Sequence, residues 1–151
     1  RSRGLGDVYK RQGMVSSIDP SVVNLLDATP FIPVIAPIGI GEDFKTYNIN
    51  ADIVAGKIAK ILQAGKYVVL TNTTGIFDDN GNLIKSMNAE QVRQLVNKGI
   101  ISSGMLPKVE SALEAVSAGV QNVQIIDGTI DHAILLELFT DEGVGTMIRR
   151  T

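Results

Sequence analysis

Cysteine is absent from all 151 residues, which removes disulfides, thiol nucleophiles and thiolate metal sites. Histidine occurs once, as His132, so a metal site built from several imidazoles is excluded as well. Tryptophan is missing and aromatics make up 5% of the chain, against 44% hydrophobic residues overall. Val, Ile, Leu and Ala must therefore fill the core, a mix that suits the buried strands of an α/β sheet.

Neither sign of charge dominates. The 14 Lys and Arg against 16 Asp and Glu leave a formal charge of −2, which gives no electrostatic footprint for nucleic acid or an anionic membrane. Any anion must be held locally. No apolar run reaches the roughly 18 residues that a membrane span needs, and the first residues lack the apolar stretch of a signal peptide. The expectation is a soluble, cytoplasmic protein, and the length suits one domain.

Residues 1–12 are basic and without apolar periodicity, and they read as a tail outside the fold. From Val15 the pattern is regular. Asp19-Pro20 predicts a helix start and a short helix to about Asp27, because Asp can accept a free backbone N–H and Pro tolerates the first turn. Phe31 to Pro37 reads as an extended apolar run, its ladder limited by Pro33 and Pro37 and closed as a loop by Gly39 and Gly41.

Asn50 predicts a cap for a helix whose apolar positions are Ile53, Val54, Ile58, Ile61 and Leu62, with Gly65 as its stop. Tyr67 to Leu70 follows as a buried strand with hardly any loop, the signature of a crossover unit in a largely parallel sheet. Asn80-Gly81 between Gly75–Phe77 and Leu83–Ile84 predicts a protruding hairpin. Helices are expected from Asn88 to Val96, from about Gly104–Pro107 to Ala118, and from His132 to Phe139, with strands at Val123–Ile126 and Gly145–Ile148. The alternation predicts an α/β fold, a three-layer sandwich with a mostly parallel central sheet and a β-hairpin insertion.

Polar, glycine-rich or charged residues stand at the ends of apolar elements, where α/β proteins place ligands, in four stretches. Asn48-Ile49-Asn50-Ala51-Asp52 enters a helix and by itself is explained by an N-cap and a first-turn acid. Asn72-Thr73-Thr74-Gly75-Ile76-Phe77 leaves a strand. Gly104-Met105-Leu106-Pro107-Lys108 is a glycine-led helix entry with a lysine in the first turn, where the macrodipole favours acids. A bound anion such as phosphate offsets that mismatch, although a solvated surface lysine explains it equally well. Phe139 to Ile148 is the fourth, and a loop returning to an edge strand would account for it.

Taken together and in order, from Val15 to Ile148, these stretches resemble the acetylglutamate kinase branch of the amino acid kinase family. The most specific pieces are Asn48–Asp52, Gly104–Lys108 with Val109-Glu110-Ser111-Ala112-Leu113, and Leu135 to Gly143. The resemblance implies ATP-dependent phosphorylation of the side-chain carboxylate of N-acetyl-L-glutamate to an acyl phosphate, in arginine biosynthesis. It further implies that residues 13–151 are the C-terminal, nucleotide-binding part of the kinase domain, without the N-terminal half that holds a second catalytic lysine and glycine-rich substrate loops.

By the same resemblance Asn48 touches acetylglutamate, Asp52 orients the catalytic lysines and Lys108 stabilises the migrating phosphoryl group. Asn72, Thr73, Thr74, Gly75, Ile76 and Phe77 line the nucleotide, opposite Ile100, Ile101 and Ser102. ATP is expected with Mg2+ bridging its phosphates and with no protein ligand for the metal; the complete enzyme is expected to be a homo-oligomer. The chain departs from the family at Asn72, where aspartate is usual, at Thr129, where arginine is usual, and at Asp131, where proline is usual. Two alternatives stand beside this reading: a sibling kinase acting on carbamate, aspartate or uridylate, and a non-catalytic nucleotide-binding module.

Overall fold

The structure, a computed structural model, describes residues 11–101, 104–140 and 143–150. Helix α1 (Ser21–Asp27) begins where Asp19 accepts the Ser21 N–H at 2.9 Å. Strands β1 (Ile38–Ile40) and β2 (Thr46–Asn48) pair antiparallel, Ile38 opposite Asn48. The expected loop at Gly39 is thus corrected to a strand, since β2 supplies the partner that the local sequence does not reveal. Arg11 and Gln12 lie alongside: the Arg11 carbonyl accepts the Asn48 N–H at 2.8 Å and Gln12 forms a parallel bridge to Asn48.

Helix α2 (Ala51–Ile61) is capped by Asn50, whose side chain accepts the N–H groups of Asp52 and Ile53. It leads straight into β3 (Lys66–Thr71). Strand β4 (Ser86–Asn88), unforeseen because its three residues pair only with a distant strand, runs into α3 (Ala89–Asn97) through a capping box of Asn88 and Gln91. Then follow α4 (Leu106–Ser117), β5 (Asn122–Asp127), α5 (Ala133–Phe139) and β6 (Thr146–Arg149).

The sheet order is β3-β5-β6-β4. β3 and β5 are parallel, from Lys66 opposite Asn122 to Thr71 opposite Asp127, and β4 and β6 are parallel, while β6 runs antiparallel to β5 with Thr146 opposite Ile125. The sheet is mixed and mostly parallel. Its core face carries Tyr67, Val69, Val123, Ile125 and Ile148, packed against Ala59 of α2, Val92 of α3 and Val109, Ala112, Ala115 and Val116 of α4. Strand alternation turns Lys66 and Gln124 to the other face, where α5 contributes Glu137 to a shared cavity. Helices therefore flank both faces, with α5 on the second.

The Asn80-Gly81 hairpin is reduced to one bridge, Phe77 to Leu83, with the Ile84 N–H donating to the Ile76 carbonyl at 2.9 Å. Only Gly81 has positive φ there, because the Asp78 carboxylate shapes the turn by accepting the Asn80 and Asn82 N–H groups at 2.9 and 2.8 Å. Those bonds also hold the Asp78 carboxyl below its ordinary range. The apolar run 31–37 is extended but forms no strand, and Ile32 and Val34 are almost wholly exposed.

Candidate active site

Helices α2 and α4 pack side by side, and their first turns meet. Asp52 of α2 and Lys108 of α4 form an ion pair of 2.9 Å, with the two side chains 21% and 22% exposed. Partial burial keeps solvent from screening the pair fully, while an open side leaves room for a ligand. Helix α4 starts at Met105 with no side-chain cap, and its first turn holds no acid. Its free N–H groups and the Lys108 ammonium thus concentrate positive potential at one helix end.

Beneath the ion pair lies a second set of contacts that sequence reading did not anticipate. The backbone carbonyl of Asp52 accepts hydrogen bonds from Ser111 Oγ at 2.6 Å and from the Tyr67 hydroxyl at 3.2 Å. The two hydroxyls are themselves 3.1 Å apart. Burial pushes the Tyr67 phenol above its ordinary 10.0, the Asp52 charge adds to that rise and the Ser111 bond opposes it. The available signal was spacing: Ser111 follows Lys108 by three residues, one helical turn on the same face.

Thr73, Gly75, Ile76, Phe77, Ile100 and Ile101 line one cleft of about 200 Å³, which Met105 and Asp78 complete. Asn72 and Thr74 are exposed and do not line it. Ser102 lies outside the described residues. Since Met105 is the N-cap of α4, the cleft and Lys108 are separated by about one turn, roughly 4.5 Å of helix rise. The 72–77 loop is held from behind by Thr146, a member of the fourth stretch to which sequence reading assigned no role: its fully buried hydroxyl accepts the Ile76 N–H at 2.8 Å. Gly75, at φ +150°, permits that approach, because a Cβ there would meet Thr146 Oγ1 at 2.5 Å.

Asn48 ends β2, two residues before the α2 cap, with its backbone tied to Arg11 and Gly13 and its side chain half-buried. A larger cavity of about 430 Å³ lies on the opposite sheet face, and its most buried charge, Glu137, is already met by Lys66 at 3.0 Å and by the Val144 N–H at 3.0 Å. Thr140, Gly143, Val144, Gly145 and Met147 of the fourth stretch line it, but none of the residues expected to be catalytic or to bind substrate or nucleotide does. Among the described residues no group of three or more His, Asp or Glu is placed to hold a metal.

A sheet with helices on both faces, a glycine-turned loop leaving β3 and a lysine-bearing helix entry beside a cleft define an α/β protein with its candidate site at one end of the sheet. The sequence model of the amino acid kinase family matches residues 3–127, and the chain belongs to that family. It is 57% identical over 137 residues to an acetylglutamate kinase of Nitrosococcus oceani and 56% identical over 137 residues to that of Nitrosomonas eutropha, each alignment covering 91% of this chain and 46% of the relative. The chain thus spans about half the length of the curated relatives it matches. Among solved structures, N-acetylglutamate synthase from Neisseria gonorrhoeae, in complex with coenzyme A and L-arginine, superposes with a TM-score of 0.87 at 30% identity, over 94% of this chain and 33% of that one. No helix of the described residues is long and apolar enough to cross a membrane.

Proposed function

We propose that this segment is the nucleotide-binding part of an acetylglutamate kinase, which transfers the γ-phosphoryl group of ATP to the side-chain carboxylate of N-acetyl-L-glutamate. The observation that carries the reading is the Lys108–Asp52 pair at 2.9 Å, set at an uncapped helix start one turn from the cleft of Thr73, Gly75, Ile76 and Phe77. Adenosine occupies that cleft, with Ile100 and Ile101 opposite the loop. Its phosphates point at the first turn of α4.

In the transfer a carboxylate oxygen of the substrate bonds to the γ-phosphorus as the bond to the ADP oxygen breaks, giving an acyl phosphate and ADP. The substrate carboxylate is already ionised near neutral pH, with a pKa of roughly 4.3. No base is required. What the protein supplies is placed positive charge, because the migrating group spreads negative charge over its oxygens. Lys108 supplies one such charge, and Asp52 fixes its direction without taking part in bond making.

Asn48 faces the acetylglutamate, and Mg2+ enters with ATP as part of the substrate, with no protein ligand assigned. The remaining machinery belongs to the half of the relatives that this chain does not match. The exposed apolar groove of about 400 Å³ between Pro33, Ile35 and Pro37 and, on the other side, Val54 and Ile58 of α2 with its C-cap Leu62 supports a fold that continues there. Homo-oligomerisation of the complete enzyme and a cytoplasmic location belong to the same proposal.

The test joins this segment to the other half of a curated relative and measures turnover with ATP and each acceptor. Acetylglutamate is expected to be preferred; preference for carbamate, aspartate or uridylate overturns the substrate, and binding of ATP without turnover of any acceptor favours a non-catalytic module. Lys108→Ala should lower kcat by about a hundredfold or more, the scale of losing one transition-state contact, with a small change in KM. Unchanged kcat removes Lys108 from its role.

A further inference from the structure

The ion pair between Lys108 and Asp52 joins a long, many-rotamer lysine to a short carboxylate at a partly open surface, both side chains about a fifth exposed. Left to itself such a pair wanders, since holding both side chains in one geometry costs rotamer entropy that solvent-screened attraction hardly offsets. Yet Asp52 is gripped at a second point. The Ser111 hydroxyl, one turn after Lys108 on α4, donates to the Asp52 carbonyl at 2.6 Å, so that two residues of α4 hold one residue of α2.

Tyr67 backs this contact from the sheet. Its hydroxyl lies 3.2 Å from the same carbonyl and 3.1 Å from Ser111 Oγ, inside the packed layer between β3 and the helices. Gly56, one turn after Asp52 on α2, makes room: a side chain at that position would collide with the Ser111 hydroxyl. Without that gap the helices could not close to hydrogen-bonding distance.

We infer that Ser111, backed by Tyr67, is a positioning residue that sets the spacing of the Lys108 ammonium and the Asp52 carboxylate by fixing the first turn of α2 against α4. The inference rests on the kinase reading of that pair. It differs from plain helix packing in its consequence. Phosphoryl transfer depends steeply on placement, a displacement of about 1 Å costing on the order of a hundredfold in rate. A small relaxation of the α2–α4 contact therefore appears in turnover before it appears in stability.

Its test uses the completed chain and reads kcat, KM for ATP and the urea midpoint together. Ser111→Ala, which removes one oxygen and adds no bulk, should lower kcat about tenfold with KM for ATP within about twofold and the urea midpoint lowered only by the modest amount that one lost hydrogen bond accounts for, the completed chain staying fully folded under assay conditions. Tyr67→Phe, which keeps the ring in the core, should lower kcat about threefold in the same pattern. In a Lys108→Ala background Ser111→Ala should cause no further loss, since there is then no ammonium to place; where that background turns over too slowly to measure, the split between kcat and midpoint in the parent chain decides.

Wild-type kcat in Ser111→Ala overturns the inference, as does a loss of turnover matched by the loss of folded protein or one that persists undiminished without Lys108. Wild-type turnover in Lys108→Ala alone strikes the kinase reading instead, so the two failures are told apart.

Discussion

Replacing Gly56 by alanine sets two effects of opposite sign against each other. Alanine in a helix interior is favoured over glycine by about 0.5–1 kcal/mol, so propensity alone predicts a stabler protein. The structure predicts the reverse. A Cβ at position 56 would overlap the Ser111 hydroxyl and lie 3.3 Å from both the Ser111 Cβ and its backbone oxygen. Overpacking of this kind costs about 1–3 kcal/mol, and displacing Ser111 also loses the hydrogen bond to Asp52, worth about 1 kcal/mol.

The net expectation is a destabilisation of about 1–3 kcal/mol. Urea unfolding of the completed chain measures it as a lower midpoint at unchanged slope. The double variant Gly56→Ala with Ser111→Ala removes the nearest overlapping atom and should recover most of the loss, a coupling that a double-mutant cycle isolates. A more stable Gly56→Ala, or strictly additive effects in the cycle, would refute the claim that this glycine sets the α2–α4 separation.

Thr146→Val keeps shape but leaves the buried Ile76 N–H without the acceptor it has at 2.8 Å; a loss of about 1–3 kcal/mol is expected, together with weaker ATP binding by calorimetry, and unaltered binding would detach Thr146 from the cleft. Tyr67 gives a pH dependence. Its pKa is raised by folding, so its contribution is fully present below its ordinary value of 10.0 and is lost as pH climbs above it, because the unfolded chain ionises first. The stability of the parent chain should therefore fall more steeply above pH 10 than that of Tyr67→Phe, and parallel alkaline profiles would contradict the assignment.

Most of the framework was legible in the sequence because it is locally written. Asn50 and Asn88 announce α2 and α3 by capping chemistry, and the apolar run Tyr67–Leu70 announces β3 by composition. What escaped depends on partners far away. β1, β2 and β4 have three residues each and exist only through pairing, so no period could establish itself. Gly39 carried a loop signal that the β2 partner overrode. The site shows the same division: Lys108 was conspicuous for standing in a first turn, whereas Asp52 is 56 residues away and was joined to it by resemblance alone. Ser111, Tyr67 and Thr146 look locally like ordinary helix, core and strand residues, and only tertiary geometry gives them their contacts.

The reversed direction of β6 bears on how the protein matures during synthesis. Running against β5, it delivers Thr146 to the edge where β3 ends, onto a loop that lies 70 residues earlier in the chain. At ribosomal rates of about 5–20 residues per second, that interval lasts roughly 4–14 s. The emerging polypeptide passes those seconds with its loop unclamped, and it acquires a finished pocket only once β6 has threaded between β5 and β4.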